Sequence, residues 1–254
     1  MSSILIALIV FACLTGGAIF GMLLRSVLPR SHLDDNSKDV VRVSMGLVAT
    51  IAALVLGLLV ASAKSSYDTK IDAFNKLSAE VVLLDIVLEQ FGPETKEARD
   101  LLRRGAISLL ERNWSPNASE LSKPDNPAAT TERNALYRSI QGLAPQNDMQ
   151  RRLQAQALEI GTNLLSVRLL SAAQEEGSTI PMPFMLVMVF WLAVLLASFA
   201  LFAPPNATVN AAILVCGLSV SGAIFLVLEL ARPYDGVIQI SSAPLRNAIA
   251  QLGQ

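Results

Sequence analysis

Residues 43–91 read VSMGLVATIAALVLGLLVASAKSSYDTKIDAFNKLSAEVVLLDIVLEQF. The first part, Val43 to Ala63, is apolar and contains no Asp, Glu, Lys, Arg or His. Roughly 20 such residues in a helix cross the hydrocarbon layer of a bilayer. The second part differs in kind. Tyr67, Ile71, Phe74, Leu77, Val81, Leu84, Leu88 and Phe91 recur at three- and four-residue steps among charged residues, which places one apolar stripe on a helix. From Leu58 to Phe91 there is no Gly or Pro, so one helix is expected to cross the membrane and continue into water until Gly92-Pro93 ends it.

Three other stretches match the first part in length and lack of charge: Ser2 to Leu24, Pro183 to Ala203, and Ala211 to Leu228, whose helix is expected to continue to Ala231. The spans form two pairs around one polar insert. The expected fold class is all-α: a polytopic membrane protein with four transmembrane helices and a helical extramembrane insert between the second and third. The expected divisions are 1–63 for the first pair (spans 2–24 and 43–63), 64–182 for the insert, 183–231 for the second pair (spans 183–203 and 211–231), and 232–254 for a docked tail. The first span lacks a basic n-region and exceeds the usual h-region length, so it reads as a retained helix, not a signal peptide.

Composition agrees. Of 254 residues, 52% are hydrophobic and 16% charged, against roughly 25% charged in soluble domains. Mean hydropathy is +0.48. A net charge of −1 gives no electrostatic reason to bind nucleic acid. Cys13 and Cys216 both lie in spans and read as packing thiols, and one histidine, His32, cannot build a metal centre. No metal or cofactor is expected.

The first connection, Arg25 to Arg42, reads as a short loop, and Pro204-Pro205-Asn206-Ala207-Thr208 as a tight turn. Both short connections therefore lie on one side of the membrane, with the insert and both termini on the other. Basic residues do not decide which side is inside. Arg25, Arg30, Lys38 and Arg42 nearly balance Lys64, Lys70, Lys76, Arg232 and Arg246.

Within the insert, Pro93 can open a second helix through Leu101, Leu102, Leu109 and Leu110. Asn113 to Ala129 reads as a loop. A short helix after Thr130 carries Leu136, Tyr137 and Ile140, and Asn147 caps a long helix bearing Leu153, Ala157, Ile160 and Leu164. These stripes must bury one another. In the tail, Ser242 precedes a short helix with Pro244 in its first turn, expected to dock on the insert or a neighbouring subunit.

The second span carries the residues of most interest. Ala49, Ala53, Gly57 and Ala61 recur every four positions after Gly46, as do Gly17 and Gly21 after Cys13 in the first span. Small residues at this spacing let helix backbones approach closely, so a packing seam is the plain reading. The sharper reading has the second span lining a narrow apolar pore, gated by dewetting of an aliphatic ring. Ile51, Val55 and Leu58 are its constriction candidates, with Ser62 and Ser65 at its exit beside Lys64. Glu229 and Arg232, three apart at the end of the fourth span, suggest an interfacial ion pair.

Signatures of catalysis are missing: there is no HExxH, GxSxG or GxxxxGK, and no GxGxxG after a strand. Glu97, Arg99, Asp100, Arg103 and Arg104 alternate in sign at helical spacing, which reads as a solvated, salt-bridged surface. An enzyme is not expected. Two readings remain: an oligomeric ion channel, and a non-conducting sensor or scaffold whose insert binds a ligand or partner.

Several phrases bear on that choice. Val43-Ser44-Met45-Gly46-Leu47-Val48-Ala49-Thr50, Gly57-Leu58-Leu59-Val60-Ala61-Ser62-Ala63-Lys64, Leu228-Glu229-Leu230-Ala231-Arg232-Pro233-Tyr234-Asp235-Gly236 and Ile238-Gln239-Ile240-Ser241-Ser242-Ala243-Pro244-Leu245-Arg246 resemble a family of bacterial proteins described as bestrophin-like. Bestrophins proper are pentameric anion channels with four spanning helices, a helical cytosolic portion and a pore lined by the second span. The resemblance therefore implies a homo-oligomer, a pentamer, in the bacterial inner membrane. It also implies a cytoplasmic insert and termini, and inorganic anions such as chloride as the permeating species. Bestrophins narrow the pore with bulky apolar and aromatic residues, whereas Val43 to Ala63 contains no aromatic residue.

Overall fold

The computed structural model describes residues 2–29, 35–114, 127–177, 182–204, 206–234 and 236–253. Among these the elements are helices: α1 (Ser3–Val27), α2 (Asp35–Phe91), a 3-10 turn (Pro93–Thr95), α3 (Lys96–Trp114), α4 (Pro127–Gln141), α5 (Asp148–Gly177), α6 (Met182–Phe202), α7 (Ala207–Leu230) and α8 (Ala243–Gln251). The fold is all-α, and α1, α2, α6 and α7 are long and apolar enough to span a membrane. Two compact units divide the chain: Met1–Tyr67 with Thr179–Arg232, and Asp68–Ser178 with Pro233–Gln254.

In the first unit α1 is the central element, packed along both α6 and α7. Val10, Leu14 and Ala18 of α1, Leu196 and Ala200 of α6, and Ile213 and Ile224 of α7 form the shared core. Its ends are closed locally. The Ser2 hydroxyl accepts from the Leu5 N–H at 3.3 Å, and Asn206 Oδ1 accepts from the Val209 N–H at 2.9 Å, opening α7 directly after the proline turn. The Arg25 guanidinium donates to the Ala203 carbonyl just past the end of α6, a cation where the helix dipole is negative.

The first connection is shorter than the Arg25–Arg42 loop expected from sequence. Helix α1 runs to Val27, and α2 begins at Asp35, about two turns before the apolar run. Acidic residues suit a helix N-terminus, and Asp39 then pairs with Arg42 at 3.6 Å on the same helix face. Helix α2 runs for 57 residues without a break. It ends where Gly92 adopts φ +133°, a conformation that L side chains avoid. The Thr95 hydroxyl, almost fully buried, donates to the Leu88 carbonyl at 2.7 Å and satisfies one orphan acceptor there.

The second unit is built on the apolar stripe of α2. Phe74, Leu77, Val81, Leu84, Leu88 and Phe91 are buried, as are Ala98, Leu102 and Ala106 of α3 and Leu153, Ala157 and Ile160 of α5. Asn147 Oδ1 accepts from the Gln150 N–H at 2.8 Å at the start of α5. One turn further, Gln154 Nε2 donates to the carbonyls of Ile140 and Leu143 at 3.0 and 2.9 Å, capping the end of α4. The loop expected over Asn113 to Ala129 is narrower: α3 includes Trp114, and α4 opens on Pro127, a residue suited to a first helical turn. Residues 115–126 of that loop lie outside the described residues.

The tail packs on this unit through α8 against α3. Trp114 Nε1 donates to the Ile240 carbonyl at 2.9 Å. Its ring lies 4.9 Å from Phe74 and 5.3 Å, edge-on, from Tyr234.

Candidate functional site

The spanning part of α2 differs from the other spans in how little of it is covered. Only 6% of its most apolar window is buried, against 22% for α1 and 28% for each of α6 and α7. Ala52 is buried and Leu56 reaches the shared core, while nearly the opposite half of the helix is open. Leu54 is 64% exposed and Leu58 71%. At about 100° per residue, Ile51, Val55, Leu58, Ser62 and Ser65 fall within roughly a quarter-turn sector. Four of them are exposed and Val55 is half-buried. The structure thus brings the five pore candidates onto one stripe of the helix that the other described residues leave largely open.

The small residues divide into two groups. On α1, a Cβ at Gly17 would sit 2.9 Å from the Ala193 carbonyl oxygen. A Cβ at Gly21 would collide with the Ala197 carbonyl oxygen and lie 2.8 Å from its carbon. These glycines are where the α1 and α6 backbones meet. On α2, Gly46 and Gly57 have nothing within 4 Å of an added Cβ. Ala53 and Ala61 are exposed, and Ala49 is half-buried. By helical rotation this second row is centred about 140° from the Ile51–Ser65 stripe, and its glycines meet no side chain or backbone of another helix among the described residues.

Glu229 is 2% exposed and Arg232 exposed; the Arg232 backbone N–H donates to the Glu229 carbonyl at 3.0 Å as α7 ends. Cys13 and Cys216, expected among packing thiols, are instead exposed on their helices. Apolar spans present such side chains to lipid as readily as to one another. Among the described residues no cluster of three or more His, Cys, Asp or Glu could hold a metal ion.

A family model for the bestrophin-like domain matches residues 10–245. The chain belongs to the bestrophin-like family. Two crystal structures of a bacterial bestrophin homologue from Klebsiella pneumoniae, each carrying one mutation, share its fold. One gives a TM-score of 0.67 at 13% identity over 95% of this chain and 99% of the other. The second gives 0.62 at 14% identity over 97% and 99%. No curated protein matches significantly.

Sequence reasoning missed the polar centre of this bestrophin-like insert. Arg99, read as part of a solvated charge run, holds Asp85 with a two-pronged hydrogen bond, Nε to Oδ1 at 2.7 Å and Nη2 to Oδ2 at 2.8 Å. The Asp85 side chain is only 7% exposed, and its Oδ2 also accepts from the Gly253 N–H at 3.2 Å, tying down the end of the tail. Burial pushes the Asp85 carboxyl up, but the Arg99 hydrogen bond, the Gly253 N–H and the Arg99 charge outweigh it and hold the group below its ordinary value. The available signal was one acid inside the otherwise apolar run Val81-Val82-Leu83-Leu84-Asp85-Ile86-Val87-Leu88. A buried acid needs a partner.

Proposed function

We propose that copies of this bestrophin-like chain assemble around an axis, as a pentamer, and conduct inorganic anions such as chloride along the open stripe of α2. The observation that carries this reading is the uncovered half of the second span, with the Ile51–Ser65 stripe towards one border and the small-residue row towards the other, about 140° apart around the helix. A row of Gly and Ala suits close approach by a neighbouring helix. The Ile51–Ser65 stripe then faces the axis, with Ile51, Val55 and Leu58 as an aliphatic constriction and Ser62 and Ser65 as hydroxyls at the exit. The span carries no fixed charge, so selectivity would come from hydroxyls, helix ends and dewetting. In this reading the protein resides in the inner membrane, with the insert and both termini in the cytoplasm. It carries no catalytic activity.

Native mass spectrometry in nanodiscs tests the assembly, and halide flux into liposomes tests the pore. A pentamer is expected, with basal flux raised by Leu58→Ala or Val55→Ala. A dimer, or flux indifferent to substitutions on both faces of the span, would refute the assignment. Single-cysteine labelling at exposed Glu89, after replacing Cys13 and Cys216, reports the side of the insert.

A further inference from the structure

The insert holds a cavity of about 740 Å³ bounded by α2, α3, α4 and α5. That volume lies inside the roughly 300–1,000 Å³ range of small-molecule sites. Its walls are aliphatic, with Leu77, Val81, Leu101, Leu109, Leu136 and Leu164 among them. Among the described residues its charged lining is Arg112 and Arg138, with no carboxylate, beside the neutral polar Asn134, Tyr137 and Thr162. Each arginine donates its Nε to a carbonyl of its own helix, Ser108 at 3.2 Å and Asn134 at 3.1 Å. The terminal guanidinium nitrogens remain to meet an anion, the fork that suits a carboxylate.

A second observation concerns the walls. Gly105 in α3 and Gly161 in α5 both line the cavity, and an added Cβ at either would meet nothing within 4 Å. Neither has a positive φ. A glycine inside a helix is destabilising relative to alanine, and here neither backbone geometry nor a close helix contact within the protomer requires it. What the two glycines do is widen the space between the leucine walls.

We propose that this cavity binds a single-chain anionic amphiphile, a fatty acid, whose acyl chain lies along the leucine walls and whose carboxylate meets Arg112 and Arg138. Mainly apolar walls whose charged lining, among the described residues, is cationic are complementary to that ligand class. They oppose a cation. The proposal stands apart from ion conduction and holds whether or not the second span forms a pore.

The test uses the full chain in nanodiscs and palmitic acid carrying a mid-chain diazirine, with adducts mapped by peptide mass spectrometry. Adducts are expected on 101–109 and 161–165, competed by unlabelled palmitate but not by hexadecanol. Gly105→Leu with Gly161→Leu should fill the space and abolish them. If that pair fails to fold, Arg112→Gln with Arg138→Gln decides, with labelling expected to fall about tenfold for the loss of charge-assisted hydrogen bonds. Adducts confined to the spans, or equal competition by hexadecanol, would overturn the proposal. So would a leucine pair that changes the oligomer mass while insert labelling persists, since the groove would then be a contact between copies of this chain.

Discussion

Gly16, Gly17 and Gly21 lie on one helix, share one substitution and differ only in what they touch. At Gly21 an alanine Cβ would collide with the Ala197 carbonyl oxygen and sit 2.8 Å from the carbonyl carbon and 2.9 Å from Cα. These are backbone atoms of α6, which no rotamer change can move aside. Restoring contact near 3.4 Å requires the helices to part by about 1 Å at this level, and a gap of that size forfeits about a quarter to a half of each affected dispersion contact. Overpacking of this kind costs about 1–3 kcal/mol. At Gly17 the nearest approach is 2.9 Å, to the Ala193 oxygen, so a smaller loss is expected. At Gly16 nothing lies within 4 Å, and alanine should stabilise by roughly 0.4–1 kcal/mol through the unfolded chain. Thermal or denaturant unfolding of the full chain in one detergent would rank the three. The order expected is Gly16→Ala above wild type, Gly17→Ala below it and Gly21→Ala lowest. A Gly21→Ala variant as stable as Gly16→Ala would refute the close α1–α6 seam.

Asp85 supplies a pH dependence. Its carboxyl is held below the ordinary value of about 3.9, so its contribution is complete above that pH and fades as pH falls through the lower folded value. Asp85→Asn should cost roughly 2 kcal/mol near neutrality and flatten the acid limb of the unfolding profile; an unchanged limb would place the sensitivity elsewhere. Trp114→Ala removes the indole between Phe74 and Tyr234 and the bond to the Ile240 carbonyl. A loss of about 3 kcal/mol is expected, together with faster amide exchange over residues 236–253; protection equal to wild type there would show that α8 docks without it. Gly57→Ala meets nothing in its own protomer. Dissociation of the assembly in native mass spectra at milder activation is therefore expected, and an assembly as robust as wild type would remove that face from any interface.

The spans were legible because the bilayer is a severe reader: it demands long charge-free helices, and those at 43–63 and 183–203 have no other reading. The continuity of α2 was equally legible, since nothing from Leu58 to Phe91 interrupts a helix. What sequence could not supply was which side of each span is covered. An apolar helix surrounded by lipid has no polar face to betray its orientation, so Gly17 and Gly57 look alike in one dimension. They differ completely in three: one lies against Ala193, the other against nothing among the described residues. The same limit hid Arg99, whose partner Asp85 is set by helix packing and not by neighbours along the chain.

That difference between the two glycines also bears on function. A small-residue row buried within a protomer has done its work once the helices meet. A row left open has not, because glycine offers lipid no more than alanine would while weakening the helix. Its cost is offset only if another backbone comes close. In the proposed assembly a helix of a neighbouring copy can do so while leaving the Ile51–Ser65 stripe, about 140° around the helix, uncovered. Helix packing and ion passage would then be properties of separate sectors of one helix, and substitutions in the two sectors should separate assembly from flux.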